Sequence, residues 1–180
     1  MEEEKRVQAE AKKKGLEVKD YILIAVLLAA GAVLKLVVGS FVNFFGMKPN
    51  FIIAMYCLAI LLVRPKLRDC AIIGLLAGAI CQVFPGTAWL NFGSELLGAV
   101  VMGLMIHVPI AIKGKSFNPL VSTFVSTVVS GATYVILLFV LIKATTEGLV
   151  AYVPIVFFTA LINCIIVQLL YIPMKAALKK

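Results

Sequence analysis

The sequence predicts an all-α integral membrane protein with six transmembrane helices and both termini in the cytoplasm. Three observations predict it. The chain is 62% hydrophobic and only 14% charged over 180 residues, against roughly 25% charged in a soluble domain. So short a chain cannot enclose that much apolar surface in a soluble core. Its charge-free stretches are long enough to cross a bilayer several times, at about 20 residues per span. Its lysines and arginines gather at every second loop, the mark of cytoplasmic loops. Together these exclude a large extramembrane catalytic domain, a separate nucleotide-binding domain and a disulfide-stapled secreted scaffold.

The elements follow in chain order. Residues 1–20 are polar, with no apolar run and no small-residue cleavage site, so they do not read as a cleavable signal peptide. Their Glu and Lys spacing fits a polar cytoplasmic tail or a short interfacial helix. Residues 21–180 read as a single six-helix membrane domain. The predicted helices run at about 21–42, 50–64, 69–84, 90–112, 117–143 and 149–174, from charge-free stretches broken at Lys48, Arg64–Asp69, Lys113–Lys115 and Lys143–Glu147. Pro85-Gly86 is the turn signal that splits Cys70–Ile112 into two spans. The second and third helices are short for a full crossing.

Orientation comes from the positive charges. The N-terminal tail holds Lys5, Arg6, Lys12, Lys13, Lys14 and Lys19. The second loop holds Arg64, Lys66 and Arg68, the fourth Lys113 and Lys115, and the C-terminus Lys175, Lys179 and Lys180. The opposite loops hold only Lys48 and Lys143, with Lys35 inside the first helix. The loops near 43–49, 85–89 and 144–148 should therefore face outside. The net charge of +8 is explained by topology and lipid headgroups, without nucleic acid.

Motifs for enzyme chemistry are missing. Gly114-Lys115-Ser116 has the tail of a phosphate-binding loop, but Pro109 stands where its leading glycine belongs. Cys57, Cys70, Cys81 and Cys164 are scattered through apolar stretches and read as small core residues, not metal ligands. His107, the one histidine, lies near the cytoplasmic end of the fourth helix, on the wrong side of the membrane from Glu95 for a catalytic grouping. A permease or a binding subunit fits better than an intramembrane enzyme.

Few polar residues lie within the apolar spans. Glu95 sits about a turn into the fourth helix on its outer side. A carboxylate at a helix centre costs about 2.5–3.5 kcal/mol to insert, so it calls for a cation, a ligand amine or a water-filled cavity; a structural pair is the other reading. Lys35 lies past the middle of the first helix. Its stem either snorkels outward or turns the ammonium to a cavity, towards Glu95 or a substrate carboxylate. Asn163 falls near mid-membrane, as interhelical glue or as a ligand contact; Gln168, a turn further in, reads as glue. Gln82, Trp89, Asn91 and Ser94 surround the Pro85-Gly86 turn. Trp89 is either an interface anchor or a lid over an aromatic ligand, and Phe41, Phe44 and Phe45 share that ambiguity. Small residues form stripes: Ala25, Ala29 and Ala32 on the first helix, Gly74 and Gly78 on the third, Ser122, Ser126 and Ser130 on the fifth. Such stripes let helices approach closely, and the alanine stripe is the best candidate for docking another membrane subunit.

Phe45-Gly46-Met47-Lys48-Pro49-Asn50, then an apolar helix, then Leu61-Leu62-Val63-Arg64-Pro65-Lys66, resembles the TrpP family of small bacterial membrane proteins assigned to tryptophan uptake. Ala160-Leu161-Ile162-Asn163 and Tyr171-Ile172-Pro173 in the last helix are similar to that family too. The resemblance covers nearly the whole chain in length and layout, with its specific residues confined to these patches. The chain departs from the family's pattern at Trp89–Glu95, where Glu95 has no adjacent lysine. The family is in turn similar to the substrate-binding S components of energy-coupling-factor transporters. That resemblance implies a six-helix subunit in the bacterial plasma membrane, without a cofactor of its own. It would dock on a shared transmembrane subunit driven by two ATPases that use ATP. The A-x-x-x-A docking motif of the first helix is matched by Ala25 and Ala29.

A zwitterion with a flat ring needs a cation, an anion, acceptors and apolar walls. The expected assignments are Lys48 or Lys35 for the carboxylate, Glu95 for the ammonium, and Asn163 for the indole N–H or the head group. Phe45, Trp89 and Phe92 would be the ring walls, Asn50 and Asn91 complete the candidate set, and the loop with Gly46 and Pro49 would be the gate. Three alternatives stand beside tryptophan uptake: an S component for another micronutrient or vitamin, a solitary proton-coupled carrier with Glu95 as proton site, and a non-transport assembly subunit.

Overall fold

The computed structural model describes residues 15–41, 49–108, 110–112 and 115–178. Among them stand six α-helices: α1 (Val18–Phe41), α2 (Ile52–Val63), α3 (Leu67–Cys81), α4 (Asn91–Met105), α5 (Asn118–Ile142) and α6 (Thr146–Ala177). A 3₁₀ turn, Ala88–Leu90, leads into α4. Four segments are long and apolar enough to cross a membrane: Val18–Gly39, Ala88–Met105, Asn118–Ile142 and Val150–Ala177. The other two helices are shorter, as the sequence indicates. The polar tail before residue 15 and the predicted gate loop, with Phe44, Phe45, Gly46 and Lys48, lie outside the described residues.

The shortness of α2 has a structural reason. Its 12 residues rise only about 18 Å. It packs against all five other helices, and every side chain from Phe51 to Leu62 is buried. A helix apolar on all sides belongs in a protein interior, and α2 is the axis of the bundle. It needs neither the length nor the lipid-facing stripe of a peripheral span. At its end Arg64 takes the left-handed conformation, φ 52°, and its guanidinium donates to the Ile106 carbonyl at 3.2 Å.

One predicted span needs correcting. The fourth helix was expected to reach residue 112, but α4 ends at Met105. The residue before a proline is biased away from helix, and Pro109 follows within a turn. Asn118 Nδ2 donates to the freed carbonyls of Met105 and Val108, at 3.1 and 2.6 Å. Beyond them Ala111–Ile112 (β1) and Lys115–Ser116 (β2) pair antiparallel, a hairpin of two-residue strands that leaves the fold class all-α. The remaining boundaries move by a few residues. The largest shift is α6, which runs through Pro154 and Pro173 to Ala177.

The small-residue stripes do three different jobs. On α3, a Cβ at Gly74 would lie 2.8 Å from Leu96 Cα, and one at Gly78 2.8 Å from Phe92 Cα. These glycines let α3 and α4 touch backbone to backbone, as close helix crossings require. On α5 the serines face inward: Ser126 Oγ donates to the Gly98 carbonyl at 2.9 Å. On α1 the stripe faces the other way. Ile24, Leu27 and Leu28 are buried and Gly31 meets Ile52 of α2, whereas Ala25 and Ala29 are exposed and Ala32 is half-buried.

Candidate functional site

A cavity of about 380 Å³ opens at one end of the bundle. All six helices contribute to it. Lys35 and Leu36 come from late α1, Cys81 from the end of α3, and Ser94 and Glu95 from early α4. Asn50 and Ile53 come from the start of α2, Tyr134 from α5 and Tyr152 from α6. These are the helix ends that the charge pattern assigns to the outer side. The α3–α4 connection, from Val83 to Ala88, forms one wall.

Glu95 is its centre. The side chain is only 1% exposed. Asn50 Nδ2 donates to Oε1 at 2.5 Å, and Ser130 Oγ donates to Oε2 at 3.1 Å. The glycine contact of α3 with α4 and the serine face of α5 bring these groups together. Charge-assisted hydrogen bonds of this kind are the strong ones, and they hold the carboxylate at the cavity wall rather than turned to lipid.

Lys35 is the counter-charge. It lines the same cavity and acts electrostatically on Glu95. Its ammonium lies 3.8 Å from Cys81 Sγ and 4.5 Å from the centroid of the Phe84 ring, within cation–π range. Among the described residues no ion pair of 4 Å or less joins it to Glu95. Of the two readings of Lys35, the structure has the ammonium facing the cavity. Cys81 also lines the cavity, unlike Cys57, Cys70 and Cys164, which are buried elsewhere.

Two acceptors at the cavity have no partner. Asn50 Oδ1 and Ser94 Oγ are buried and make no hydrogen bond, although both residues line the space. A buried polar group left this way costs about 1–3 kcal/mol. A donor entering the cavity would remove that cost.

Of the residues singled out from the sequence, Lys35, Asn50, Asn91 and Glu95 line the cavity. Asn91 Nδ2 donates to the Ala88 carbonyl at 2.9 Å, so its amide also shapes the wall. Asn163 is placed differently from the expectation. It does not line the space. It is fully buried behind it, with Nδ2 donating to the Asn50 carbonyl at 3.1 Å and to Thr127 Oγ1 at 3.5 Å. Asn163 thus braces two wall residues instead of facing a ligand. Trp89 and Phe92 also lie off the cavity, 50% and 39% exposed: their rings fall on the outer faces of the 3₁₀ turn and α4. Phe45 and Lys48 lie outside the described residues.

Sequence reasoning passed over Phe84, Thr87, Tyr134 and Tyr152. The tyrosine rings are 6.0 Å apart and tilted by 46°, and Thr87 Oγ1 and Tyr134 OH are hydrogen-bonded at 2.7 Å. A signal was present: both tyrosines place a polar tip in the outer half of an apolar span, where a buried hydroxyl needs a partner.

The TrpP family profile, described as tryptophan transporter TrpP, matches residues 17–179. The chain is also similar to a protein of Clostridium acetobutylicum named "Probable tryptophan transport protein". The two are 23% identical over 168 residues, covering 91% of this chain and 96% of the relative. No solved structure matches the chain. With all the described helices and the whole cavity inside the matched segment, the chain belongs to the TrpP family of tryptophan transporters.

Proposed function

We propose that this protein takes up tryptophan across the bacterial plasma membrane as the substrate-binding subunit of an energy-coupling-factor transporter. One observation carries the substrate reading. Among the described residues lining the cavity, the charged ones are a single cation, Lys35, and a single anion, Glu95. A site with one charge of each sign suits a zwitterionic α-amino acid. Lys35 takes the carboxylate, and Glu95 takes the ammonium with help from the unpartnered oxygens of Asn50 and Ser94. Lys48, in the outer loop, is a second cation for the carboxylate. The volume falls within the usual range for small-molecule sites, about 300–1,000 Å³.

In this reading six helices cross the bilayer with both termini in the cytoplasm, and the cavity faces outside. Family membership and the clustering of the predicted outer helix ends support it. The subunit role draws on the exposed Ala25–Ala29 face of α1, which is free to meet a transmembrane partner, and on the lack of a phosphate-binding motif in the sequence. The partner's ATPases supply the energy.

Calorimetry on detergent-purified protein tests the substrate. A stoichiometric heat with L-tryptophan, lost in Glu95→Ala and Lys35→Ala, is expected; no heat with any aromatic amino acid overturns the reading. Proteoliposomes test the mechanism. Uptake that requires partner subunits and ATP supports the subunit role. Uptake by the purified chain under a pH gradient alone favours the carrier reading, in which the buried Glu95 carries the proton.

A further inference from the structure

The cavity has two chemically distinct parts. The charged and unpartnered groups, Lys35, Asn50, Ser94 and Glu95, come from α1 to α4 and the segment just before α2. On the α5–α6 side Tyr134, Tyr152, Ile155 and Val156 form a run of larger side chains beside Thr127, Ser130 and Thr159. Ser130, which holds Glu95, and Tyr134 are four residues apart on α5, so they share a face about 6 Å apart. A molecule whose head group is held at Glu95 therefore meets Tyr134 one turn away.

We propose that Tyr134 and Tyr152 form the ring subsite of this cavity, and that Thr87, by fixing Tyr134, sets its preference for an indole over a smaller aromatic ring. The inference rests on the tryptophan reading above and adds the residues that select the side chain. Three observations support it. Both tyrosines line the cavity, whereas Trp89 and Phe92 do not. The pair is tilted by 46° at 6.0 Å, within the centroid spacing of favourable aromatic pairs. And the 2.7 Å Thr87–Tyr134 hydrogen bond ties the ring to the α3–α4 connection.

That connection is itself braced at its base. Gln82 Nε2 donates to the Gly78 and Ala88 carbonyls at 2.7 and 2.9 Å. Between these anchors Gly86 takes φ +107°, a conformation that glycine adopts readily and other residues rarely do. The connection that holds Tyr134 is thus braced at both ends. Thr87 and Tyr134 both line the cavity, and their hydroxyl oxygens keep lone pairs that can accept. An indole N–H finds an acceptor there that a phenyl ring does not use, and a site built to bond a polar group discriminates against analogues lacking it.

The test is a binding panel of L-tryptophan, L-1-methyltryptophan and L-phenylalanine on purified protein in detergent. Tyr134→Leu and Tyr152→Leu should each weaken tryptophan binding by about tenfold, the scale of a lost ring contact. Thr87→Val and Tyr134→Phe keep the packing. They remove the hydroxyl acceptor, so tryptophan affinity should fall by about threefold or more while phenylalanine and 1-methyltryptophan change little, narrowing its advantage by that factor. A second readout uses the Trp89→Phe chain, which contains no tryptophan because Trp89 is the one in the sequence. Emission from bound L-tryptophan should shift to the blue in that chain, and less so when Tyr134→Leu is added. If wild-type protein binds tryptophan and all four tyrosine and threonine variants match its affinity and selectivity within twofold, the ring subsite is overturned and the tryptophan reading survives. If wild-type protein binds none of the panel, both fall.

Discussion

At the closed end of the bundle, several polar side chains that enter the interior are satisfied within it. Ser126 donates to the Gly98 carbonyl, Ser122 to the Asn118 carbonyl and Arg64 to the Ile106 carbonyl. At the cavity end, a few turns away along the same helices, Asn50 Oδ1 and Ser94 Oγ have no partner, and Lys35 and Glu95 both line the open space. The first region is assembled for stability, since a buried donor with its acceptor in place contributes modestly and leaves nothing uncompensated. The second keeps polar groups available at a cost that a ligand can remove. Thr123 Oγ1, Asn163 Oδ1 and Gln168 Oε1 also lack partners, away from the cavity, and nothing in the described residues explains them.

The contrast breaks most readily at Glu95. Glu95→Ala should lower tryptophan affinity by about 100-fold, the scale of losing one side of a buried charge contact, as read by calorimetry. Affinity within threefold of wild type would show that the cavity does not read an ammonium. The α4–α5 crossing between the two regions should respond in stability. A Cβ at Gly98 would run into the Tyr56 hydroxyl and lie 2.9 Å from Ser130 Cβ. Gly98→Leu should therefore destabilise the bundle by about 1–3 kcal/mol, seen as a lower melting temperature in detergent. A variant that melts like wild type would mean that α4 and α5 are not held at this close approach.

Asn163 sharpens the comparison because it belongs to neither region alone. It holds the Asn50 carbonyl from behind. Asn163→Ala should weaken tryptophan binding by about tenfold by freeing Asn50, consistent with the worth of a buried hydrogen bond that positions a ligand group. Asn163→Ala combined with Asn50→Ala should cost little more than Asn50→Ala alone, because the two act as one unit; fully additive losses would show a direct contact between Asn163 and the ligand. The smallest effect on the isolated chain is expected on α1. Ala29→Leu on the exposed face should change stability by no more than about 0.5 kcal/mol, yet abolish co-purification with an energy-coupling-factor transmembrane subunit. Undisturbed co-purification would remove α1 as the docking face.

Much of the architecture was legible because the bilayer reads composition simply. Charge-free stretches bounded by Lys and Arg mark helices, and the six that were expected are the six described, within a few residues at most ends. The exception at Met105 turns on local chemistry: Pro109 and the capping amide of Asn118 end the helix, while the apolar run continues past it. Glu95 and Lys35 stood out because a charge in an apolar span is costly enough to need a reason. Trp89 and Phe92 misled for the opposite reason. Aromatic residues near a turn sit equally well at a membrane interface or in a pocket, and one residue of rotation along a helix decides which. Tyr134 and Tyr152 were passed over because neither carries a charge and they come from different helices.

The sequence by itself determined the solvent, the number and order of the described helices, and the two charged residues inside the apolar spans that line the cavity. Hydrophobicity and charge act residue by residue against the membrane, so a linear reading captures them. Only the tertiary structure decided that α2 is the axis, that Ala25 and Ala29 face outward, that Asn163 stands behind Asn50, and that Thr87 reaches Tyr134. Each of those depends on the rotation and packing of helices distant in the chain. Those are set by where glycines let backbones meet and by which polar groups find one another, and neither is written in any single stretch of sequence.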